Sequence, residues 1–328
     1  RHLGTENAGP VLGAMHDYLV TKTNTTFLEL TSAEDILCEG GKVTGVKIHQ
    51  RGHEPEIVYA PYVVTAPGRG GAQWLSETVS KLGLRTQNNE VDIGVRVEVP
   101  NAIMDHLTRD LYEAKLVYYS DTYENKVRTF CMNPGGEVSQ EYYEGGIAVV
   151  NGHSYEDPEK RTGNTNFAML VSTQFTEPFN QPIEYGRYIA QLGNMLTGGP
   201  IMVQRLGDLL KGRRTDMKRL AKSTTIPTLS TAVPGDLSFV LPARHLTSIV
   251  EALKAFDHLA PGLYSQNTLL YGVEVKFYSS KVLVDSHMET AIKGLFAAGD
   301  GAGITRGLMQ AGVSGMVVAD EVARRLNG

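Results

Sequence analysis

Near the carboxyl end, Phe296-Ala297-Ala298 runs into Gly299-Asp300-Gly301-Ala302-Gly303, a short apolar stretch followed by a glycine turn holding one carboxylate. These residue types suit a backbone that must approach a flat ligand closely, because glycine has no Cβ to hold the ligand off. Asp300 can accept hydrogen bonds from sugar-like hydroxyls. A helix beginning near Gly307 would leave the N–H groups of Leu308, Met309 and Gln310 without partners in the helix. Its positive dipole end would then stabilise negative charge on a ligand lying before it. Ala311, Gly312 and Gly315 keep the near face of that helix thin. The plain alternative makes Asp300 a turn or cap residue in a glycine-rich strand–turn–helix. The small residues behind the turn weigh against that alternative.

Elsewhere the chemistry is sparser. Nine histidines show neither HExxH nor a paired Cys/His cluster, so no metal site is expected. His153 reads as an exposed loop histidine. The one basic concentration is LKGRRTDMKR, Leu210–Arg219. A solvated surface loop is its default role, and contact with an anionic substrate or a nicotinamide phosphate is the alternative.

The elements that must position these residues fall into two textures. Apolar residues at helical spacing (Val11, Leu12, Met15, Leu19) predict a helix over Gly9–Lys22. TTFLEL then reads as a strand, and ILCEGGKVTGVKI as a hairpin turning on Gly40-Gly41. The run Tyr62–Ala66 reads as a buried strand ending in a Pro/Gly turn. From about Val91, short alternating segments such as VDIGVRVEV, KLVYYS, VRTFCM, GIAVV and NFAMLVS predict a mostly β region. Two amphipathic helices interrupt it. One carries Tyr185, Tyr188, Ile189, Leu192, Met195 and Leu196 on a single face, the other Leu246, Ile249, Val250, Leu253 and Phe256. After Tyr271 the texture returns to α/β, with KGLFAAGD as a strand and Leu308–Leu326 as a helix.

Composition narrows the function classes. With 328 residues, 41 % hydrophobic, the chain can bury two ordinary cores. A formal net charge of −5 argues against nucleic-acid binding, which favours a basic excess. No apolar run reaches the roughly 18–20 residues a bilayer span needs, so no membrane partner is expected. Two distant cysteines, Cys38 and Cys131, fit a reduced cytoplasmic protein rather than a disulfide framework.

The segment Gly299–Gln310 resembles the C-terminal flavin motif of glutathione-reductase-like FAD enzymes. The chain as a whole is similar to a largely uncharacterised family of bacterial FAD-dependent dehydrogenases. That resemblance runs from RHLGT onward through IGVRVE (Ile93–Glu98), TFCMNPGGEV (Thr129–Val138), VNGHSY (Val150–Tyr155), GNTNFAMLV (Gly163–Val171) and GVEVK (Gly272–Lys276). It implies that Gly299, Asp300, Gly301, Gly303, Gly307, Leu308, Met309 and Gln310 hold the flavin half of FAD. It also brings forward Cys131 and Glu274 as catalytic candidates. Cys131 can be a redox thiol, but Asn133 stands where the family often has a second cysteine, and a small buried cysteine is the other role. Glu274 can serve as an acid/base or form a salt bridge with Lys276 or Arg306. Asn133, Asn151, Ser154, Asn164 and Asn166 become candidates for a polar substrate pocket, or side chains that close loops. Arg306, before the helix, either reaches a phosphate or crowds the flavin site.

Such enzymes open with a strand, G-x-G-x-x-G and a helix, and this sequence contains no G-x-G-x-x-G. GRGG at Gly68–Gly71 resembles the family's second turn, with Pro67 in place of a threonine. The expectation is therefore a C-terminal portion of a flavoprotein. Its fold class would be α/β plus a β-rich insertion: an incomplete FAD-binding Rossmann-like domain, split in sequence into residues 1–90 and 271–328. Residues 91–270 would be an inserted, mostly antiparallel substrate domain carrying two helices. The expected function is hydride transfer between an unknown small-molecule substrate and flavin, with NAD(P)H as a candidate donor. The alternatives are a non-catalytic flavin-binding or scaffold module, or a fragment inert without its nucleotide-binding head. FAD is expected in the full-length parent and not in this fragment.

Overall fold

The computed structural model describes residues 6–328 apart from 88–89, 112, 144, 177, 180 and 277–280. The RHLGT stretch where the resemblance begins lies outside the described residues. Contacts gather the chain into two units, residues 1–15 with 90–277, and residues 16–89 with 278–328.

The first part of the chain forms α1 (Ala8–Lys22), β1 (Thr31–Glu39), β2 (Lys42–Gln50), β3 (Glu56–Tyr59), β4 (Val63–Thr65), α2 (Ala72–Lys81) and β5 (Thr86–Gln87). The middle begins with β6 (Val91–Pro100), α3 (Asn101–Leu111), β7 (Val117–Tyr119), β8 (Lys126–Asn133), β9 (Glu137–Tyr143), β10 (Ile147–His153) and β11 (Asn164–Thr173). It continues with α4 (Pro182–Thr197), β12 (Met202–Arg205), the single turns α5 (Leu206–Leu209) and α6 (Met217–Leu220), β13 (Val233–Pro234), α7 (Ala243–Phe256) and β14 (Leu269–Lys276). The last part holds β15 (Lys281–Val282), β16 (Leu295–Ala297) and α8 (Leu308–Asn327).

The unit of residues 90–277 is built on a seven-stranded sheet in the order β13-β12-β14-β6-β11-β8-β7. Every neighbouring pair in it is antiparallel except β12 with β13. Side chains alternate across a strand, so β6 has two distinct faces. Val91, Ile93, Val95, Val97 and Val99 enter the main apolar core with Met104 of α3, Ile189 of α4, and Ile249, Leu253 and Phe256 of α7. On the other face stand Asp92, Gly94, Arg96 and Glu98. There Val138, Ala148 and Val150 of the β9–β10 hairpin pack with Leu269 and Tyr271 of β14. Both faces are thus covered, and the polar residues of β6 are buried.

In the other unit, β1 and β2 form a hairpin around Gly40 and Gly41, both at positive φ, and β3 adds to its edge. β16 lies parallel to β4. Ala297 packs with Leu75 and Val79 of α2, while Phe296 and Ala298 pack with Val318 of α8. The short strand therefore separates two helices and fixes the turn that follows it.

Five readings of the sequence need correction, one of them His153, which ends β10 half-buried and is not an exposed loop residue. TTFLEL is not a strand: the strand begins at Thr31, where residues become able to pair with β2. A helix, α3, occupies Asn101–Leu111 in the region read as β with two helices; it buries Met104 and Thr108. In α4 the buried side is Pro182, Gly186, Ile189, Ala190 and Gly193, whereas Tyr188, Met195 and Leu196 are exposed. Small residues let α4 pack closely, so the row of large residues was a poor guide to its buried face. Finally, Val64 in the Tyr62–Ala66 run is exposed, because β4 pairs only with β16 among the described residues. Helix α1 forms where expected, yet none of its residues is buried. Among the described residues no helix is long and apolar enough to cross a membrane, and no group of three or more His, Cys, Asp or Glu is arranged to hold a metal.

Candidate functional site

Strand β16 delivers the chain to Gly299 at φ +76, a backbone conformation that side-chain-bearing residues rarely adopt. Asp300–Ala302 then forms one tight helical turn, closed by Gly303 at φ +68. A Cβ on Gly301 would strike the Gly68 carbonyl, so two glycine loops meet backbone to backbone. The Gly299 N–H donates to Ser314 Oγ at 3.0 Å, tying the turn to α8. Asp300 is already engaged. Arg69 donates to it through Nε and one Nη at 3.3 and 3.2 Å, and Thr305 Oγ1 at 2.6 Å. An ionised carboxylate has about four acceptor positions, so one remains for a ligand hydroxyl. Helix α8 starts after Gly307, which has no capping side chain. Gln310 turns its Oε1 back to the Arg306 N–H at 3.1 Å. Leu308 and Met309 are 86 % and 83 % exposed, and added Cβ atoms on Gly307, Gly312 and Gly315 would meet nothing within 4 Å. Beside this helix start lies a shallow apolar groove of about 380 Å³, lined by Met288, Ile304, Met309, Val313 and Val317 among others.

The structure gathers most of the other candidates around a residue the sequence reading passed over. Arg96, on the polar face of β6, is fully buried. Its Nε and Nη2 grip the Glu274 carboxylate of β14 at 3.0 and 3.3 Å. Nη1 donates to Asn166 Oδ1 at 2.7 Å and to the Cys131 carbonyl at 3.2 Å, and Nη2 reaches Asn151 Oδ1 at 3.3 Å. Asn133 donates to the same two acceptors, Asn166 Oδ1 and the Cys131 carbonyl, at 3.1 Å each. Lys276 Nζ lies 2.7 Å from Glu274. Burial alone would raise the Glu274 carboxyl, but Arg96 and Lys276 overcome it and hold the group below the usual carboxylate range. Of the two salt-bridge partners expected for Glu274, Lys276 is present; the dominant one, Arg96, was not anticipated.

Backbone geometry serves the same cluster. Opposite Phe167, β8 carries two residues, Cys131 and Met132, between the pairs Asn133↔Asn166 and Phe130↔Ala168. This is a β-bulge, and Cys131 sits in it at φ +51. The bulge turns the Cys131 carbonyl onto Arg96, and Glu113 Oε1 accepts its N–H at 3.1 Å. Gly152 of β10 leaves room above: a Cβ there would run into Asn166 Oδ1 and Arg96 Nη1 and lie 2.6 Å from Asn133 Nδ2. Two donors fix the orientation of the Asn166 amide, which leaves its Nδ2 buried without a partner.

Asn164 belongs elsewhere. Asn164 Nδ2 donates to Glu98 Oε1 at 3.0 Å and the Ile226 carbonyl at 2.8 Å. Glu98 also takes the Tyr271 hydroxyl at 2.5 Å and Thr228 Oγ1 at 2.5 Å. Ser154 is buried. The residues that sequence reasoning missed are Arg96, Glu98 and Tyr271 in the sheet, and Arg69 and Thr305 at the glycine turn. A signal for the first two was present: IGVRVE places two charges two residues apart on one strand face, and GVEVK supplies the opposing carboxylate.

Comparison with known proteins bears on this arrangement. A protein from Clostridium beijerinckii described only as uncharacterized is 27 % identical over 251 residues, which is 72 % of this chain and 46 % of that protein. The chain thus spans about half the length of the relative it matches. Among solved structures, an oxidoreductase from Methanosarcina mazei is 12 % identical, with 90 % of this chain and 49 % of that one covered and a TM-score of 0.31. The FrdA protein of quinol fumarate reductase from E. coli is 15 % identical, with 90 % and 44 % covered and a TM-score of 0.33. A glycerol-3-phosphate dehydrogenase from Bacillus halodurans, complexed with FAD, is 13 % identical, with 90 % and 39 % covered and a TM-score of 0.30. Likenesses this weak carry no argument. The family model described as "FAD-dependent protein, C-terminal domain-like" matches residues 90–277, the stretch that holds the Arg96 cluster. That is more than half of the chain, and the protein belongs to this family.

Proposed function

We propose that the chain is the C-terminal portion of an FAD-dependent oxidoreductase that passes hydride between a small-molecule substrate and flavin. In this reading the split, Rossmann-like FAD-binding domain expected over residues 1–90 and 271–328 takes the bounds of the compact unit 16–89 with 278–328, and the substrate domain expected over 91–270 takes 90–277. The observation that carries it is the glycine turn Gly299–Gly303 set before an uncapped, exposed start of α8. The turn fits the cofactor through Asp300, which retains acceptor capacity for a ribityl hydroxyl, while Gly301 lets the turn pack on the Gly68 backbone. When bound, FAD supplies the hydride chemistry. The free N–H groups at Leu308, Met309 and Gln310, with the helix dipole, would stabilise negative charge on a flavin held there.

In the substrate domain Glu274 is a positioning residue, since Arg96 and Lys276 occupy its carboxylate. Asn133, Asn151 and Asn166 belong to the Arg96 cluster beside which a polar substrate pocket would be built, with Asn166 Nδ2 buried and unpartnered there. The same engagement of Glu274 favours a second reading, a flavin-binding module without turnover, because the candidate acid/base is already committed to Arg96 and Lys276. Anaerobic reduction of the full-length protein with NADH or NADPH, followed by a panel of electron acceptors, separates the two. Flavin bleaching and reoxidation by an acceptor support the oxidoreductase; a flavin that no donor reduces leaves the binding module.

The 328-residue chain itself tests the cofactor assignment. Pyrophosphate contacts are charge-assisted hydrogen bonds worth roughly 1.5–3 kcal/mol each, and this sequence has no G-x-G-x-x-G to supply them. The chain should purify colourless and bind added FAD weakly but saturably, read by quenching of flavin fluorescence. Asp300→Ala should weaken that binding by about tenfold or more. No quenching at millimolar FAD, or an unchanged affinity in the variant, would remove the turn from the flavin site.

A further inference from the structure

The sequence from Arg205 to Lys222 holds seven Lys and Arg against two Asp, a local excess of five positive charges in a chain whose net charge is −5. The fold concentrates this excess. Strand β12 ends at Arg205, and the single turn α5 places Asp208 beneath the following loop, 1 % exposed. The loop then folds back over it: the Arg213 N–H donates to the Asp208 carbonyl at 3.1 Å, and the Thr215 N–H to the Gly235 carbonyl at 2.9 Å. Thr215 Oγ1 donates to Asp208 Oδ2 at 2.9 Å.

Three guanidiniums converge on this one carboxylate. Arg213 Nε lies 2.9 Å from Oδ1, Arg219 Nε 3.9 Å from Oδ1, and Arg205 Nη1 3.7 Å from Oδ2. One negative charge cannot neutralise three positive ones. Asp216, 3.5 Å from Arg219 Nη1, takes up part of the surplus. Arg205 is held by the Arg219 carbonyl and Asn267, yet its Nε is buried without a partner. Arg213 and Arg219 remain 45 % and 35 % exposed. Arg213 uses Nε on Asp208, and no partner of its two outer nitrogens is described. Like charges held at this separation repel one another, and a structure that fixes them by backbone and carboxylate contacts has prepared donors for an outside anion.

We propose that the arginine cluster on Asp208 binds the phosphate group of a small phosphorylated ligand. Guanidinium forks match tetrahedral phosphate oxygens in pairs, which a lone ammonium cannot do. Asp208 sets the spacing of the forks and touches no ligand itself. The patch is confined to one loop of an otherwise acidic chain, which suits one or two phosphates rather than the long basic stripe of a nucleic-acid interface. This site is independent of the flavin reading and stands or falls without it.

Isothermal titration of the full chain with inorganic pyrophosphate and with inorganic phosphate, at low and constant ionic strength, tests the site. One saturable pyrophosphate site is expected, weakened at least tenfold by Arg213→Gln and by Arg219→Gln and unaffected by Lys126→Gln on β8. Thermal melts confirm that each variant is folded. Citrate serves as a non-phosphate polyanion, and a single-stranded oligonucleotide as the macromolecular alternative. The proposal is overturned if no saturable binding occurs, if the arginine variants bind as the parent does, or if citrate matches pyrophosphate. Oligonucleotide binding that is tighter than pyrophosphate binding and lost in the same variants would replace it with a nucleic-acid site.

Discussion

Two clusters of charge in the same unit treat arginine in opposite ways. Around Arg96, one guanidinium and one ammonium face Glu274, and every guanidinium nitrogen of Arg96 has an acceptor inside the sheet. Around Asp208, three guanidiniums share one buried carboxylate, and two of them reach the protein surface. The first arrangement is closed around its charges, with only the neutral Asn166 Nδ2 left unpartnered; the second has charged donors left over. Burying a charge is tolerated only with partners, so the closed cluster belongs to the architecture of the strand face and the bulge at Cys131. A surplus next to water is tolerated because solvent screens it. The two clusters therefore predict different responses to the same kind of substitution.

The largest effect is expected at Arg96. Arg96→Ala leaves Glu274 buried with Lys276 as its only charged partner and strips Asn166 and the Cys131 carbonyl of a donor. Breaking a buried pair from one side costs about 3–5 kcal/mol. Urea unfolding should show that loss, or the variant should fail to fold. The triple change Arg96→Met, Glu274→Met and Lys276→Met removes all three buried charges and should recover part of it. A single variant as stable as the parent would mean the cluster is not closed.

His245 shows the same burial logic without a counter-charge. The ring is buried on α7, Nε2 lies 3.0 Å from Thr173 Oγ1, and Nδ1 has no partner. Desolvation, with Arg244 next to it, lowers its pKa to about 4. The unfolded value near 6.5 is higher, so the unfolded chain takes up the proton first. Stability from the neutral ring is fully present above about pH 6.5 and drains as pH falls towards 4, by on the order of 3 kcal/mol. His245→Gln should flatten the pH dependence of unfolding free energy in that window. Parallel curves for parent and variant would show that the ring titrates normally.

A smaller loss is expected at Gly152, where the Arg96 cluster leaves no room. Gly152→Ala should destabilise by about 1–3 kcal/mol through overpacking against Asn166 and Arg96. Gly145→Ala, in open space at the tip of the same hairpin, differs by a strained positive φ alone. A loss at Gly152 no larger than that at Gly145 would argue against tight packing there.

How much of this was legible in the sequence follows from local physics. The Gly40-Gly41 hairpin, the short strand before Gly299 and the α8 start all carry their own signals: glycines at positive φ, a small apolar run, an abrupt change of period. The Arg96 cluster had none of that kind. Alternation in VDIGVRVEV suggests one wet face, but the β9–β10 hairpin covers that face, so Asp92, Arg96 and Glu98 are interior. Cys131 is notable in sequence for its sulfur, but in the fold both its carbonyl and its thiol lie against the Arg96 guanidinium. Helix α3 was hidden because it follows a strand without a glycine break. The Asp208 cluster was half visible: the basic run could be read, but Asp208 lies before that run and Arg205 earlier still, and only the folded loop brings Arg205, Arg213 and Arg219 onto one carboxylate.

The smallest effect sharpens the contrast most. Arg213→Gln removes an ion pair with Asp208 at 2.9 Å. It also removes a positive charge that repels Arg205 and Arg219, which share the same carboxylate. Asp208 keeps those two guanidiniums and the Thr215 hydroxyl, so it is not left as an isolated buried charge. Arg213 is 45 % exposed, and pairs this open contribute about 0–1 kcal/mol. Attraction lost and repulsion relieved oppose each other, and the net change should stay within about 1 kcal/mol. Both contributions weaken as salt screens them, so the difference between parent and variant should shrink further in 1 M NaCl. Urea unfolding at low and high salt measures it. If Arg213→Gln cost more than about 2 kcal/mol in both, Arg213 would be as architectural as Arg96, and its outer nitrogens would no longer count as surplus held for a phosphate.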